Sequence, residues 1–181
     1  FCLETHLLLK KNHHNIKTII APRHINRVEE IQNLCKKYNL NSQILNKDQQ
    51  IIKENEIIII NAFGVLTRYF KYAKSVFMGK SLLKHLKNEA GQNPIEAAKY
   101  GCRIFHGPYV YNFQEIYDIL EKNNITTKIN SPKDLAKGVN DGFKSNQIGD
   151  KKIPKIINDL SHRVLSDTME NIEKFLKNEN I

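Results

Sequence analysis

The segment Gly91-Gln92-Asn93-Pro94-Ile95-Glu96-Ala97-Ala98-Lys99-Tyr100-Gly101 holds the side chains of this sequence best suited to chemistry. Gly91 lets a ligand come close to the main chain. Asn93 suits the N-cap of a helix, and Pro94 then falls at the first helical position, where its missing N–H costs nothing. The start of such a helix offers unpaired N–H groups and the positive end of a dipole, both suited to a phosphate. Glu96, one turn further on, can accept hydrogen bonds from a ribose or sugar hydroxyl pair. The same residues also spell a capping box, with Glu96 reaching back to the Asn93 N–H. Locally, both readings stay open. Gly101 supplies the left-handed residue that ends the helix.

A ligand loop of this kind needs a rigid edge behind it. Apolar runs at Ile16–Ala21, Ser42–Leu45, Glu56–Asn61, Ser75–Met78, Arg103–Phe105 and Thr126–Ile129 predict strands, and helical patterns separate most of them. Asn26 caps one helix, with Glu29 three residues on and Val28, Ile31, Leu34 and Cys35 as its apolar face. Leu66–Ala73 is the next helix, where Tyr69, Phe70 and Tyr72 read as packing residues. Asn112 and Glu115 make a second capping box for Phe113–Leu120, and Ser131-Pro132 with Asp134 starts a helix that reaches about Val139. Strands alternating with helices give an α/β fold with a doubly wound parallel sheet.

Ligands in such sheets bind beyond the carboxyl ends of the strands. That rule selects Pro22-Arg23-His24, and Gly79-Lys80-Ser81 follows a strand where a substrate group could sit. Asn61-Ala62-Phe63-Gly64-Val65 leads from a strand into a helix, and His106-Gly107-Pro108 reads as a loop at the C-terminal end of a strand. Arg23 is either a phosphate ligand or a surface charge. Gly64 either turns N–H groups toward a ligand or forms an ordinary strand-to-helix turn. Lys47–Asn55 reads as a loop or a poor helix. Asn140–Lys152 reads as an exposed loop, followed by helices at Pro154–Leu165 and Ser166–Leu176.

Composition narrows the function classes. The chain has 181 residues and a formal net charge of +9. A basic surface favours anionic lipid or another polyanion. Nucleic acid is disfavoured: no basic run reaches about five residues and no aromatic residues interleave with one. Cys2, Cys35 and Cys102 are odd in number and far apart, which argues against a disulfide framework or a zinc site and fits a reducing compartment. His13-His14 is a poor metal pair, because neighbours at a helix end do not face each other. No segment approaches the about 20 apolar residues of a membrane span. The chain does not begin with Met, and Phe1-Cys2-Leu3-Glu4-Thr5-His6 reads as the middle of a helix, so a fragment is expected. No P-loop, no G-x-G-x-x-G and no Asp-x-Asp pair occurs.

Gly91 through Ala98, followed by Gly107-Pro108-Tyr109-Val110-Tyr111-Asn112-Phe113-Gln114-Glu115-Ile116, resembles the donor-site signature of the 3-deoxy-D-manno-octulosonic acid (Kdo) transferases of lipid A assembly. Ala21-Pro22-Arg23-His24 with Arg27 and Glu29-Glu30 fits the same family. So does the run from Gly64 and Leu66 to Met78-Gly79 and Ser81-Leu82. The resemblance runs from about Ile16 to Leu120. Four positions depart from the family pattern: Gln92 replaces a His, Ala90 a Gly, Ala97 a Pro and Val65 an acidic residue. Leu82–Ala90 is longer and more charged than the family leads one to expect.

The resemblance implies the C-terminal, nucleotide-binding half of a GT-B glycosyltransferase. Residues 1–140 would form the CMP-Kdo-binding α/β domain, and 141–181 a polar loop with helices packed on that domain or on an N-terminal half. By the resemblance, Pro22, Arg23, Phe63, Gly64, Val65, Asn93, Pro94, Ile95 and Glu96 hold CMP. The family transfers Kdo from CMP-Kdo to a lipid A precursor, lipid IVA, at the cytoplasmic face of the bacterial inner membrane. It needs no cofactor and no metal. Its catalytic carboxylate and membrane anchor belong to the N-terminal half, so this chain alone is expected to bind the donor without transferring sugar. A GT-B enzyme using a UDP- or GDP-sugar, or a non-catalytic nucleotide-binding module, are the alternatives.

Overall fold

A computed structural model describes residues 1–84, 90–144 and 152–178. The chain divides into two compact units, one made of Phe1–Ala73 with Ile129–Ser145 and the other of Lys74–Lys128 with Asn146–Ile181. Each carries a three-stranded, wholly parallel sheet.

In the first unit the strands are β1 (Thr18–Ile20), β2 (Ser42–Leu45) and β3 (Ile57–Ile60), in the order β1-β3-β2. Four consecutive isoleucines make β3, and all are at most 2% exposed. Alternate side chains of a strand face opposite ways. Ile57 and Ile59 therefore pack with Leu3, Val28, Cys35 and Leu40, beneath α1 (Cys2–Lys10) and α2 (Val28–Lys37). Ile58 and Ile60 pack with Leu45 and Val65 and with Tyr69 of α3 (Leu66–Phe70). A continuous apolar run is what a sheet covered on both faces requires. Each buried isoleucine contributes about 1.5–3 kcal/mol.

The start of α2 and the exposure of Leu34 differ from the sequence reading. The α2 helix is preceded by a 3-10 turn, Ile25–Arg27, so Asn26 sits inside that turn and does not cap the helix. Beyond its C-terminal end, Asn39 lies in the left-handed region at φ 53°, with the Leu40 N–H returning to the Cys35 carbonyl. Leu34, expected on the buried face, remains exposed. Residues 46–56 join β2 to β3 without a helix, and the Gln43 side-chain amide clamps this loop through the Gln50 carbonyl and the Ile52 N–H.

The second unit contains β4 (Ser75–Met78), β5 (Arg103–His106) and β6 (Thr126–Lys128), ordered β4-β5-β6. The helices α4 (Ile95–Lys99) and α5 (Gln114–Lys122) follow β4 and β5 in the chain. Tyr117 and Leu120 of α5 and Ala97 and Ala98 of α4 are fully buried. As with Asn26, the Asn112 cap is absent: the residue lies in a 3-10 turn, Tyr111–Phe113, before α5.

The helix α6 (Pro132–Lys144) belongs to the first unit and runs beyond the expected end near Val139, so Asn140 to Lys144 are helical. Residues 145–151 of the expected loop lie outside the described residues, as do 85–89 of the predicted insertion. Where two C-terminal helices were expected, one helix, α7 (Lys152–Asn178), spans 27 residues.

Candidate functional site

In the second unit, the loops that leave β4 and β5 are tied together by main-chain groups. Ser81 is fully buried. Its hydroxyl donates to the Met78 carbonyl at 2.7 Å and accepts from the Gly107 N–H at 2.8 Å. The Ser81 carbonyl accepts from the Tyr109 N–H at 2.9 Å. A Cβ on Gly107 would lie 2.2 Å from the Ser81 carbonyl oxygen, so only glycine fits. The expected ligand position at Gly79-Lys80-Ser81 is therefore corrected at Ser81: its side chain is spent on the backbone.

Onto this base the loop carrying the Asn93 turn is fixed from three sides. The Gly91 N–H donates to the Lys80 carbonyl, the Asn112 N–H to the Ala90 carbonyl, and the Tyr117 hydroxyl to the Gln92 carbonyl at 2.9 Å. Gly91 has φ +98°, and a Cβ there would meet the Val110 main chain at 3.0 Å. The glycine thus serves close packing against Val110 rather than the approach of a ligand.

Asn93 caps α4 much as predicted: its side-chain oxygen accepts the Ile95 N–H at 2.9 Å. Pro94 is buried and in helical conformation. Asn93 and Glu96 are exposed and Ile95 is half-buried. Glu96 makes no hydrogen bond back to the Asn93 N–H, so the capping box is half formed and the carboxylate faces solvent. Gly101 closes the helix at φ +70°.

Beneath this turn lies His106, at 1% exposure. Its Nδ1 donates to the Gly107 carbonyl at 2.7 Å, and its ring packs on Tyr117 with centroids 4.5 Å apart. Among the described residues its Nε2 has no hydrogen-bond partner. Burial holds the imidazole below its ordinary pKa, against the opposing pull of the Gly107 carbonyl and Glu121. His106 is thus neutral at pH 7. Burial likewise raises the Tyr117 hydroxyl, which stays a donor. Sequence reading does not single out Tyr117, and it takes His106 for a loop residue, whereas it is the last residue of β5. A buried tyrosine needs a partner for its hydroxyl, but only the tertiary structure supplies Gln92.

The remaining predicted residues belong to the first unit, at the carboxyl ends of β1 and β3. Pro22 is half-buried and Arg23 exposed, with no hydrogen bond or ion pair among the described residues. Phe63 is 70% exposed. Gly64 adopts φ +72° with open space where a Cβ would stand. Val65 is buried in the core beside Ile58 and Ile60, so it offers a ligand only its main chain. Tyr69 packs as expected, but Tyr72, also expected to pack, is 85% exposed. Cys35 and Cys102 are buried small core residues, and burial pushes the Cys102 thiol up to about 11. His13 is engaged with Asn140 and Phe143 of α6.

At the opposite, amino-terminal ends of β1 and β3, a polar network joins α1 to the sheet. His6 contacts the Thr18 hydroxyl at 2.9 Å and Glu56 at 3.2 Å, and Lys10 pairs with Glu56 at 2.6 Å. Burial lowers the pKa of His6, so it meets Glu56 as a neutral donor.

A chain from Rickettsia prowazekii (strain Madrid E) described as a 3-deoxy-D-manno-octulosonic acid transferase is 25% identical over 174 residues, which cover 93% of this chain and 36% of that protein. A protein of the same description from Haemophilus influenzae is 27% identical over 133 residues, 73% of this chain and 30% of its own length. The chain is similar to Kdo transferases along most of its length. It spans about a third of the length of the curated relatives it matches. No family model matches it. Its fold matches the crystal structure of the C-terminal CMP-Kdo binding domain of WaaA from Acinetobacter baumannii, with a TM-score of 0.70 at 20% identity, over 90% of this chain and 80% of that one. The fold is accordingly an α/β, Rossmann-like one shared with that domain.

Proposed function

We propose that this chain is the donor-binding part of a glycosyltransferase that moves Kdo from CMP-Kdo to a lipid A precursor, lipid IVA. The observation that supports this most is the Asn93–Glu96 turn. Its backbone is fixed by bonds from three directions, while Asn93 and Glu96 stay exposed at the carboxyl end of a parallel sheet. In this reading Glu96 accepts the ribose hydroxyls, and the main chain around Asn93-Pro94-Ile95 faces the nucleotide. Pro22, Arg23, Phe63, Gly64 and Val65 are the further CMP-binding positions. Arg23 supplies a fixed positive charge to phosphate, and the open Phe63 ring offers a face on which a base stacks. Charge-assisted bonds of this kind contribute about 1.5–3 kcal/mol each.

The reaction follows from the donor. An acceptor hydroxyl attacks the anomeric carbon of Kdo, the bond from that carbon to the phosphate oxygen breaks, and CMP leaves with the electron pair. Arg23 and main-chain donors stabilise the charge that builds on the leaving phosphate. The acceptor's proton passes to a carboxylate that the resemblance places in an N-terminal half. The acceptor and the cytoplasmic face of the inner membrane belong to this same proposal. No helix among the described residues is long and apolar enough to cross a membrane.

The test is a thermal-shift titration of the chain with CMP, UMP and GMP. A ligand that binds only the folded state raises the melting temperature by mass action. CMP should raise it, and Glu96→Ala should abolish most of the rise. A rise with UMP or GMP instead points to another GT-B transferase. No rise with any nucleotide refutes donor binding by this chain.

A further inference from the structure

Among the described residues, three hydrogen bonds hold the loop from Ala90 to Pro94 to the rest of its unit. Two are bonds between main-chain groups, Gly91 N–H to Lys80 and Asn112 N–H to Ala90, at 3.2 and 3.3 Å. The third comes from a side chain: the Tyr117 hydroxyl reaches the Gln92 carbonyl at 2.9 Å. It is the shortest of the three. Gln92 immediately precedes Asn93, so this bond fixes the peptide that aims the turn. Tyr117 is itself immobilised. It is 1% exposed, lies on α5, and stacks on His106, which a short bond ties to the Gly107 carbonyl. Gly107 is in turn locked to Ser81. A continuous chain of contacts therefore runs from the β4–β5 edge through His106 and Tyr117 to the turn.

We propose that Tyr117 is a positioning residue of the nucleotide site: through the Gln92 carbonyl it holds Asn93 and Glu96 in the arrangement that a nucleotide meets. The inference rests on the reading of that turn as the donor site. Tyr117 does not touch the ligand. Its contribution is to keep the turn in one conformation before binding, and a site that is only partly populated loses apparent affinity by the unpopulated fraction.

The experiment compares the wild-type chain, Tyr117→Phe and Glu56→Gln. Tyr117→Phe removes one oxygen and keeps the ring on His106. Glu56→Gln weakens the network at the amino-terminal ends of β1 and β3 and controls for lost stability alone. CMP affinity by calorimetry and amide exchange of residues 90–96 without ligand are both read. Losing one such bond should weaken CMP binding about threefold to tenfold. Exchange at Gly91 and Ile95 should quicken in Tyr117→Phe, whereas Glu56→Gln should change neither. Unchanged exchange in Tyr117→Phe overturns the proposal without any ligand. Quickened exchange with CMP affinity equal to wild type overturns it as well. Absence of CMP binding by the wild type overturns the donor-site reading itself, and the positioning role with it.

Discussion

The Ser81–Gly107 contact leaves no spare volume and no spare hydrogen bond. The Ser81 hydroxyl serves two buried main-chain groups at once. Ser81→Ala leaves the Gly107 N–H and the Met78 carbonyl unpaired, and a buried orphan of this kind costs about 1–3 kcal/mol. Gly107→Ala is worse placed, because its Cβ meets backbone rather than a flexible side chain; overpacking of this kind costs about 1–3 kcal/mol or more. Urea denaturation should show a lower midpoint for both, and a midpoint equal to wild type for Gly107→Ala would contradict the close approach. The same two residues show what a sequence hides. Ser81 after a strand reads as a ligand-facing hydroxyl. Its real partners are carbonyl and amide groups brought together only by the fold. Asn93 is the opposite case: its cap is a local bond two residues long, and the local pattern Asn-Pro-Ile suffices to read it.

Among the elements, the strands were legible because parallel strands buried on both faces must be apolar throughout, and Ile57–Ile60 shows this most plainly. Ile58→Ala should cost about 2–5 kcal/mol, measured by the same denaturation, because Ile58 packs in a cluster with Leu45, Ile60 and Val65. A loss under about 1 kcal/mol would mean that the face relaxes to fill the space. Helix starts were less legible. At Asn26 and Asn112 a 3-10 turn precedes the helix, and the residue that matches a capping pattern lies one residue before the N-cap. The break expected at Leu165–Ser166 does not occur either. No glycine or proline stands there, and nothing local stops α7. The resemblance chose Arg23, Phe63, Asn93 and Glu96, and all four lie at exposed positions. It had no means of distinguishing Val65, whose side chain goes to the core.

For the molecule as a whole, each unit carries a buried neutral histidine, His6 in one and His106 in the other. Burial holds both below the ordinary value of 6.5. In the unfolded chain each takes up a proton near pH 6.5, so stability is full above that pH and is lost as pH falls toward the folded values. Melting temperature should therefore decline from pH 7.5 to 5.5. His106→Met, which removes one titrating group and its orphaned nitrogen, should flatten the decline; an unchanged slope would assign the effect elsewhere. Assayed with CMP-Kdo and lipid IVA, the 181-residue chain should bind donor and release no CMP. Turnover would place a complete active site within it. The two units are also interleaved: the chain passes from one to the other three times, and α6 returns to pack on α1 after all of β4, β5 and β6. On the ribosome, α1 emerges long before α6 and then waits. The first unit cannot close until the helix ending at Lys144 has left the exit tunnel, so a nascent chain halted at Lys128 would carry all six described strands and still expose the side of α1 that α6 covers.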